Sequence, residues 1–198
     1  FLRTLPKREV ICGYGEILKH SLIFSSKFFN FLNKNVIDIL NLKSPSIEKA
    51  IYESCVIKKK IIEKDEKEKN LRKILNLGHT FAHAFEATLN YSKKLNHGEA
   101  VILGITSATK FSLSNNFLKK SDYNLINHHL IKANLPNDLK KFFSIKDLNK
   151  ILFFMKKDKK NTNKKINLII LKKIGNTKFN MNFNKTKIFS FLKKELSN

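Results

Sequence analysis

The chain has 198 residues, of which 42% are hydrophobic, enough for one domain with a substantial core. Its net charge is +23, but the lysines are spread along the whole chain without an aromatic RNA-binding motif, a zinc finger or a helix-turn-helix signature, so no dedicated nucleic-acid surface is expected. No apolar run approaches the roughly 18 residues of a membrane span, and the opening segment lacks the apolar run of a signal peptide. The two cysteines form no metal motif and predict free thiols in a reducing cytoplasm.

The first part of the chain is predicted to be helical. Apolar residues at helical spacing indicate one helix over 11–32 and a short one over 36–42, and Pro45 ends this region. A third helix follows, with Ser44 or Ser46 as its cap.

A row of polar side chains marks the helix predicted over 71–89. Arg72, Asn76, His79 and His83 stand at offsets 0, 4, 7 and 11, which places them on one face of a helix with 3.6 residues per turn. Burying polar groups costs free energy unless partners satisfy them, so packing alone does not explain this row. The pattern predicts half of an active site.

The remainder of the chain is predicted to contain more helices and one hairpin. Helices are expected over 98–115, 122–133, 145–155 (capped by Ser144) and 186–196, with a small element opening at Pro136. The β-branched run 165–171 and the turn signal Gly175-Asn176 predict a β-hairpin. The fold class is therefore mainly α, a multi-helix domain with a small β-hairpin near the C-terminus. No strand followed by GxGxxG occurs, so a complete dinucleotide-binding fold is not expected.

The histidines suggest a catalytic zinc, which takes three protein ligands and keeps one position open. His79 and His83 at i, i+4 would both reach one ion, although a structural pair is the commoner reason for an isolated HxxxH. Arg72 and Asn76 beside them would suit an oxygen-rich ligand. The candidate metal ligands are Glu16, His79, His83, Glu86, His97 and Glu99.

Other polar residues, taken alone, are expected to be ordinary surface groups. Glu16 and Lys19 would form a surface ion pair of little energetic value. Lys58 ends an apolar run as a solvated helix end, and the stretch 63–70 is a solvated helix end or connection. The three remaining histidines are expected at the surface or at helix ends: His20, His128 and His129.

Four segments, in this order, resemble the 3-dehydroquinate synthase family: GYGEILKH (13–20), KKKIIEKDEKEKNLRKILNLGHTFAHAFEA (58–87), NHGEAVILG (96–104) and MKKDKK (155–160). The resemblance covers essentially the whole chain, but only the C-terminal helical domain of the family. It implies that residues 1–198 are this metal- and substrate-binding domain, and that residues 1–10 connect it to a missing N-terminal NAD-binding α/β domain.

The resemblance implies a ligand set that differs from the local spacing argument. Zinc would be held by Glu16, His79 and His97, while His83 would handle protons. The substrate pocket would be lined by Lys19, Lys58, Glu68, Arg72 and Asn76.

Two further segments acquire roles from the same resemblance. Lys160, or alternatively Lys159, matches a substrate-binding lysine of the family. The opening segment matches one that touches the cofactor: Phe1, Leu2, Arg3 and Thr4.

The implied reaction converts 3-deoxy-D-arabino-heptulosonate 7-phosphate to 3-dehydroquinate and phosphate, in the shikimate pathway of aromatic amino acid biosynthesis. NAD and zinc would be the cofactors, with cobalt able to replace zinc, and the full-length enzyme would be a homodimer. Related sugar-phosphate cyclases of the deoxyinosose or valiolone type are an alternative, but the intact DKK and NxGHTxxH blocks favour dehydroquinate synthase. A non-catalytic basic helical module that binds nucleic acid is an alternative of another class.

Overall fold

The computed structural model describes residues 2–157 and 165–197. The helices in this part of the chain are α1 (Lys7–Phe24), α2 (Ser26–Leu40), α3 (Ser46–Lys64), α4 (His79–Thr88), α5 (His97–Ser114), α6 (Lys120–Lys132), α7 (Leu148–Lys157) and α8 (Lys185–Ser197). The strands are β1 (Lys165–Lys173) and β2 (Asn176–Asn184). Short 3-10 helices cover Leu2–Thr4, Leu71–Asn76, Leu139–Lys141 and Ile145–Asp147. The predicted fold class, mainly α with a hairpin near the C-terminus, is confirmed.

The core is one continuous apolar cluster centred on α5. Ile102 and Phe111 of α5, Leu18 of α1 and Phe85 of α4 are fully buried. A helix that is apolar on nearly every side must be covered on every side, and α5 packs against α4, α1 and β1. The first residue of α5 is His97, so this central helix carries one of the candidate ligands.

The first helical region is divided differently from the prediction. The expected helix over 11–32 is interrupted at Ser25, whose backbone is extended and whose side chain accepts a hydrogen bond of 3.1 Å from the backbone N–H of Phe28. This is an N-cap, so a new helix starts there. The second helix then continues to Leu40 and absorbs the short helix predicted over 36–42.

The predicted caps had mixed outcomes. Neither Ser44 nor Ser46 caps α3, because Pro45 occupies the cap position without a side-chain hydrogen bond. Ser144 does form a capping box, at the 3-10 turn that precedes α7. The small element expected at Pro136 forms slightly later, over Leu139–Lys141.

The helix predicted over 71–89 is not continuous, so the prediction that its four polar side chains share one helix face is wrong. Leu71–Asn76 forms a 3-10 helix, and Gly78 has a left-handed φ of +81° before α4 begins at His79. The break comes from packing, because a Cβ on Gly78 would lie 2.6 Å from the backbone nitrogen of Ile105. A Cβ on Gly104 would in turn meet the carbonyl oxygen of Gly78.

We expect Gly104→Ala to destabilise the fold by about 1–3 kcal/mol, as overpacked sites do. The added methyl would push on the Gly78 carbonyl and so on the segment that carries His79. Gly13→Ala in α1 is the matched control, since among the described residues no atom outside its chain neighbours and the nearby backbone of α1 lies within 4 Å of a Cβ there. The control should be neutral or more stable by about 0.4–1 kcal/mol. Urea unfolding of both variants measures this, and equal midpoints would contradict the close packing.

The hairpin forms where predicted and packs on the core. Its strands pair antiparallel with Ile166 opposite Phe183. The backbone N–H of Leu171 donates a 3.0 Å hydrogen bond to Oγ of Ser112 on α5. The hairpin therefore braces the helix that carries His97.

Two findings bear on the setting of the protein. Cys12 and Cys55 are free thiols, as predicted. Within residues 2–157 and 165–197, no helix combines the length and the apolar character that crossing a membrane requires.

Candidate active site

The three implied metal ligands come together from three helices. Glu16 lies in the middle of α1, His79 begins α4 and His97 begins α5. Nε2 of His79 is 3.9 Å from Oε1 of Glu16, and the rings of His79 and His97 are 6.0 Å apart between centroids. The described residues contain no group of three His, Cys, Asp or Glu side chains close enough to hold an ion as they stand. The His97 side chain is 59% exposed, so it would have to move toward the other two to complete such a group.

The two carboxylate oxygens of Glu16 have different surroundings. Oε2 accepts a hydrogen bond of 2.7 Å from Nζ of Lys19. Oε1 is buried and has no hydrogen-bond partner among the described residues. A buried carboxylate oxygen without a partner is costly, so Oε1 is placed to receive a cation or a ligand.

The pair of Glu16 and Lys19 is not the surface ion pair expected from the sequence. The Lys19 side chain is only 4% exposed, and burial lowers its pKa against the opposing effect of Glu16. Burial also disfavours the charged form of Glu16, but the Lys19 ammonium outweighs it and holds the pKa of Glu16 below its usual value. The lowered pKa of Glu16 favours its carboxylate form, and the hydrogen bond from Lys19 fixes the orientation of that carboxylate.

The donor set fits a zinc ion. Nδ1 of His79 lies 3.3 Å from the carbonyl oxygen of Leu77, which leaves Nε2 facing Glu16. Two ligand atoms on a tetrahedral zinc lie about 3.4 Å apart when each bond is about 2.1 Å, so the observed 3.9 Å needs only a small adjustment. Burial lowers the pKa of His79, which favours the neutral ring that metals bind.

A cavity of about 170 Å³ opens beside these ligands. It is lined by all five residues that the resemblance implies for the substrate pocket, together with His20 and others: Glu16, Lys19, His20, Lys58, Glu68, Arg72, Leu75, Asn76 and His79. Ammonium and guanidinium groups bind phosphate and carboxylate through charge-assisted hydrogen bonds. The cavity is therefore suited to a small anionic ligand that also carries hydroxyl groups.

One wall of the cavity is the charged connection after α3. The carboxylate of Asp65 accepts hydrogen bonds from the backbone N–H groups of Lys69, Asn70 and Arg72, between 2.7 and 3.0 Å. This loop was expected to be only a solvated end or connection, yet it orients Glu68, whose Oε1 accepts a 2.7 Å hydrogen bond from the Asn76 amide.

Of the three histidines expected at the surface or at helix ends, His20 and His129 are buried, although His129 lies in the last turn of α6, and His128 is exposed. Nδ1 of His20 lies 2.7 Å from Oγ of Ser54, and its Nε2 is 3.9 Å from Oε2 of Glu16. His129 is fully buried between α1 and α2. The sequence carries no local signal for either position, because their burial depends on helices that are distant along the chain.

The other candidate ligands have different surroundings. His83 is exposed, with its ring 5.5 Å from that of His79. Glu99 is engaged by Arg8 through two hydrogen bonds and completes the capping box of α5 with Asn96. Glu86 is bound to the His97 ring.

The N-terminal segment borders a second cavity. Leu2, Arg3 and Thr4 form an exposed 3-10 turn. Leu2 lines an apolar cavity of about 320 Å³ between α1, α2 and α3, and Glu16 is also among its lining residues. Three of the predicted site residues lie outside the described residues: Phe1, Lys159 and Lys160.

Comparison with known proteins identifies the family. Residues 13–161 match the model described as 3-dehydroquinate synthase C-terminal. The chain belongs to this family. It is 64% identical over 197 residues to the 3-dehydroquinate synthase of Pelagibacter ubique, covering 100% of this chain and 54% of that protein. The 3-dehydroquinate synthase of Alkaliphilus metalliredigens is 38% identical over 88% of this chain and 48% of its own length. The chain thus spans about half the length of these dehydroquinate synthases.

Solved structures share the dehydroquinate synthase-like fold. A 2-epi-5-epi-valiolone synthase from Streptomyces hygroscopicus subsp. jinggangensis, with NAD+ and Zn2+ bound, superposes with a TM-score of 0.83 at 17% identity, over 98% of this chain and 53% of that one. A 2-deoxy-scyllo-inosose synthase in complex with carbaglucose-6-phosphate, NAD+ and Co2+ gives a TM-score of 0.81 at 24% identity, over 98% of this chain and 54% of that one. At these identities the likeness establishes the fold.

Proposed function

We propose that this chain is the metal- and substrate-binding part of a 3-dehydroquinate synthase, a lyase that converts 3-deoxy-D-arabino-heptulosonate 7-phosphate to 3-dehydroquinate and phosphate. One observation carries the proposal: Oε1 of Glu16, which has no hydrogen-bond partner among the described residues, lies 3.9 Å from Nε2 of His79, and both residues line a cavity that also contains cationic side chains. The 64% identity to a dehydroquinate synthase supports this choice of substrate within the family.

The proposed metal ligands are Glu16, His79 and His97, with zinc as the ion and cobalt as its substitute. The solved relatives bound to Zn2+ or Co2+ and to NAD+ support both cofactors. When bound, the ion supplies Lewis acidity at a substrate hydroxyl, and the nicotinamide accepts and returns a hydride.

The cationic groups hold the substrate in this proposal. Lys19, Lys58 and Arg72 line the cavity and would bind the phosphate and carboxylate. Lys160 or Lys159, assigned through the sequence block alone, would add a further contact. Orientation of one bound molecule through several steps is then the main catalytic contribution of these residues.

The remaining polar groups handle hydroxyls and protons. Asn76 and Glu68, joined by a 2.7 Å hydrogen bond, present an amide and a carboxylate to the cavity and would position substrate hydroxyl groups. His83 is exposed beside His79, so it would pass protons between the site and solvent. The segment from Phe1 to Thr4 would contact the nicotinamide cofactor.

The setting and assembly follow from the same proposal. We place the protein in the cytoplasm, where its two thiols stay reduced, and the full-length enzyme would be a homodimer. Because the chain spans about half the length of its relatives, we expect it to fold and bind zinc by itself without turning over.

A fusion experiment tests the function. The portion of the Pelagibacter ubique enzyme that this chain does not match would be joined ahead of this chain, and dehydroquinate formation would be measured with NAD+ and Zn2+. We expect turnover by the fusion, none by the fusion carrying His97→Ala, and none by the unfused chain. Turnover by the unfused chain would contradict the expectation that it is inactive alone. A zinc-loaded, folded fusion without activity would contradict the proposed function.

The two alternatives make different predictions. A deoxyinosose- or valiolone-type cyclase would leave the heptulosonate phosphate unreacted and cyclise a different sugar phosphate. A nucleic-acid-binding module would bind polynucleotides in a strongly salt-dependent manner and take up no stoichiometric zinc. Several basic side chains line one cavity, and this clustering favours a small anionic substrate.

A further inference from the structure

Glu86 is a buried carboxylate that the proposed chemistry does not use. It lies on α4, seven residues after His79, and its side chain is only 12% exposed. Oε1 of Glu86 is 3.1 Å from Nδ1 of His97. Its neighbours Phe85 and Ala87 belong to the core, so the position of this carboxylate is set by the packing of α4.

We propose that Glu86 is a positioning residue that selects the nitrogen with which His97 binds the metal. A carboxylate only accepts hydrogen bonds, so the contact requires the proton of His97 on Nδ1. A neutral imidazole has one N–H, and Nε2 is then left with its lone pair. Nε2 becomes the ligand atom, and the carboxylate increases its basicity. This inference rests on the proposed metal site.

The orientation of the His97 ring depends on its hydrogen bond to Glu86 because packing holds this ring less tightly than it holds the His79 ring. Its side chain is 59% exposed, against 14% for His79, so packing restricts its rotamers weakly. The backbone of His97, by contrast, is firmly placed. The next residue, Gly98, packs directly on the backbone of Cys12, where a Cβ would not fit.

Arg8 of α1 also holds the first turn of α5 in place. The Arg8 guanidinium donates to both carboxylate oxygens of Glu99 and to the carbonyl oxygens of Lys93 and Lys94. The start of α5 is thereby fixed against α1. With the backbone fixed, the rotation of the His97 ring is the remaining freedom, and the hydrogen bond to Glu86 restricts it.

Zinc affinity of the 198-residue chain tests the proposal, measured by competition with a chromophoric chelator. We expect Glu86→Ala to weaken zinc binding by about 10- to 100-fold, the usual effect of losing such an outer hydrogen bond, while one ion is still bound. Glu86→Gln keeps an acceptor oxygen and should lose less. Glu195→Gln is the matched control, because it removes a carboxylate that is 19% exposed and paired with Lys110, about 20 Å along α5 from His97.

The outcomes separate this inference from the proposed function. Unchanged affinity in Glu86→Ala, with zinc binding lost in His97→Ala, would overturn the positioning role and leave the metal site standing. A wild-type chain that binds no zinc would overturn both. Imidazole nitrogen NMR of the metal-free chain gives a second readout that a merely structural role would not move. The neutral His97 ring should carry its proton on Nδ1 in the wild type and shift toward Nε2 in Glu86→Ala.

Discussion

Replacing His97 with alanine should abolish stoichiometric zinc binding. The wild-type chain should hold one ion, because a catalytic zinc takes three protein ligands and the proposed function assigns these to Glu16, His79 and His97. Loss of one ligand should weaken binding by more than the about 100-fold that loss of an outer hydrogen bond causes. Metal analysis after dialysis, with the same measurement on His79→Ala, checks the result.

The control for this experiment is His83→Ala. His83 lies four residues after His79, but it is exposed and is proposed to handle protons, so its loss should leave the metal in place. For the third ligand, Glu16→Gln is preferable to Glu16→Ala, because alanine would leave the buried Lys19 ammonium without its partner. Zinc retained in His97→Ala would remove His97 from the ligand set, and zinc lost in His83→Ala would add His83 to it.

The difference between His83 and His97 shows where local pattern stops being informative. Spacing alone favoured a joint site of His79 and His83, since it registers only neighbours on one helix. In the structure the three proposed ligands lie on three helices, and residues 16, 79 and 97 lie near one another because α1 and α4 both pack against α5. Only the resemblance of the separated sequence blocks to a family indicated that set.

The fold was predictable where the signal was local. The helix over 98–115 and the hairpin formed within one or two residues of prediction, because continuous apolar periodicity and β-branched runs report directly on local structure. The break at Gly78 was not predictable. It results from contact with Gly104, which is far away in the sequence and lies on another helix. The burial of Lys19 likewise depends on neighbours that the pattern of α1 does not contain.

Lowering the pH from 7 to about 4 should reduce the free energy of unfolding by about 3 kcal/mol through the protonation of His129 alone. Burial, with smaller contributions from the charges of Lys132 and His128, lowers the pKa of His129 from 6.5 to about 4, and each unit corresponds to about 1.4 kcal/mol. The unfolded chain therefore takes up the proton first. The stabilisation is complete above about pH 6.5 and is lost as the pH falls toward about 4.

The contacts of His129 explain why the neutral ring is favoured. The hydroxyl of Tyr14 is 2.8 Å from Nε2, and Oδ1 of Asn33 is 3.2 Å from Nδ1. Burial raises the pKa of Tyr14, so this hydroxyl stays protonated and donates a hydrogen bond to Nε2. A second proton on the ring would remove that acceptor and place a charge beside Phe29 in the core.

His129→Phe, compared with His128→Phe, isolates this effect. A phenyl ring suits the aromatic surroundings but leaves the Tyr14 hydroxyl without its acceptor, which should cost about 1–3 kcal/mol at neutral pH. The prediction is tested by how the unfolding free energy changes with pH, not by this constant difference between the two proteins. Between pH 7 and about 4, urea-unfolding free energies of His129→Phe should fall by about 3 kcal/mol less than those of the wild type. His128, exposed on the same helix, should keep the wild-type slope when replaced. Because all three proteins share the same carboxylates, acid effects at those groups cancel in the comparison, and parallel curves would mean that His129 is protonated equally in the folded and unfolded chains.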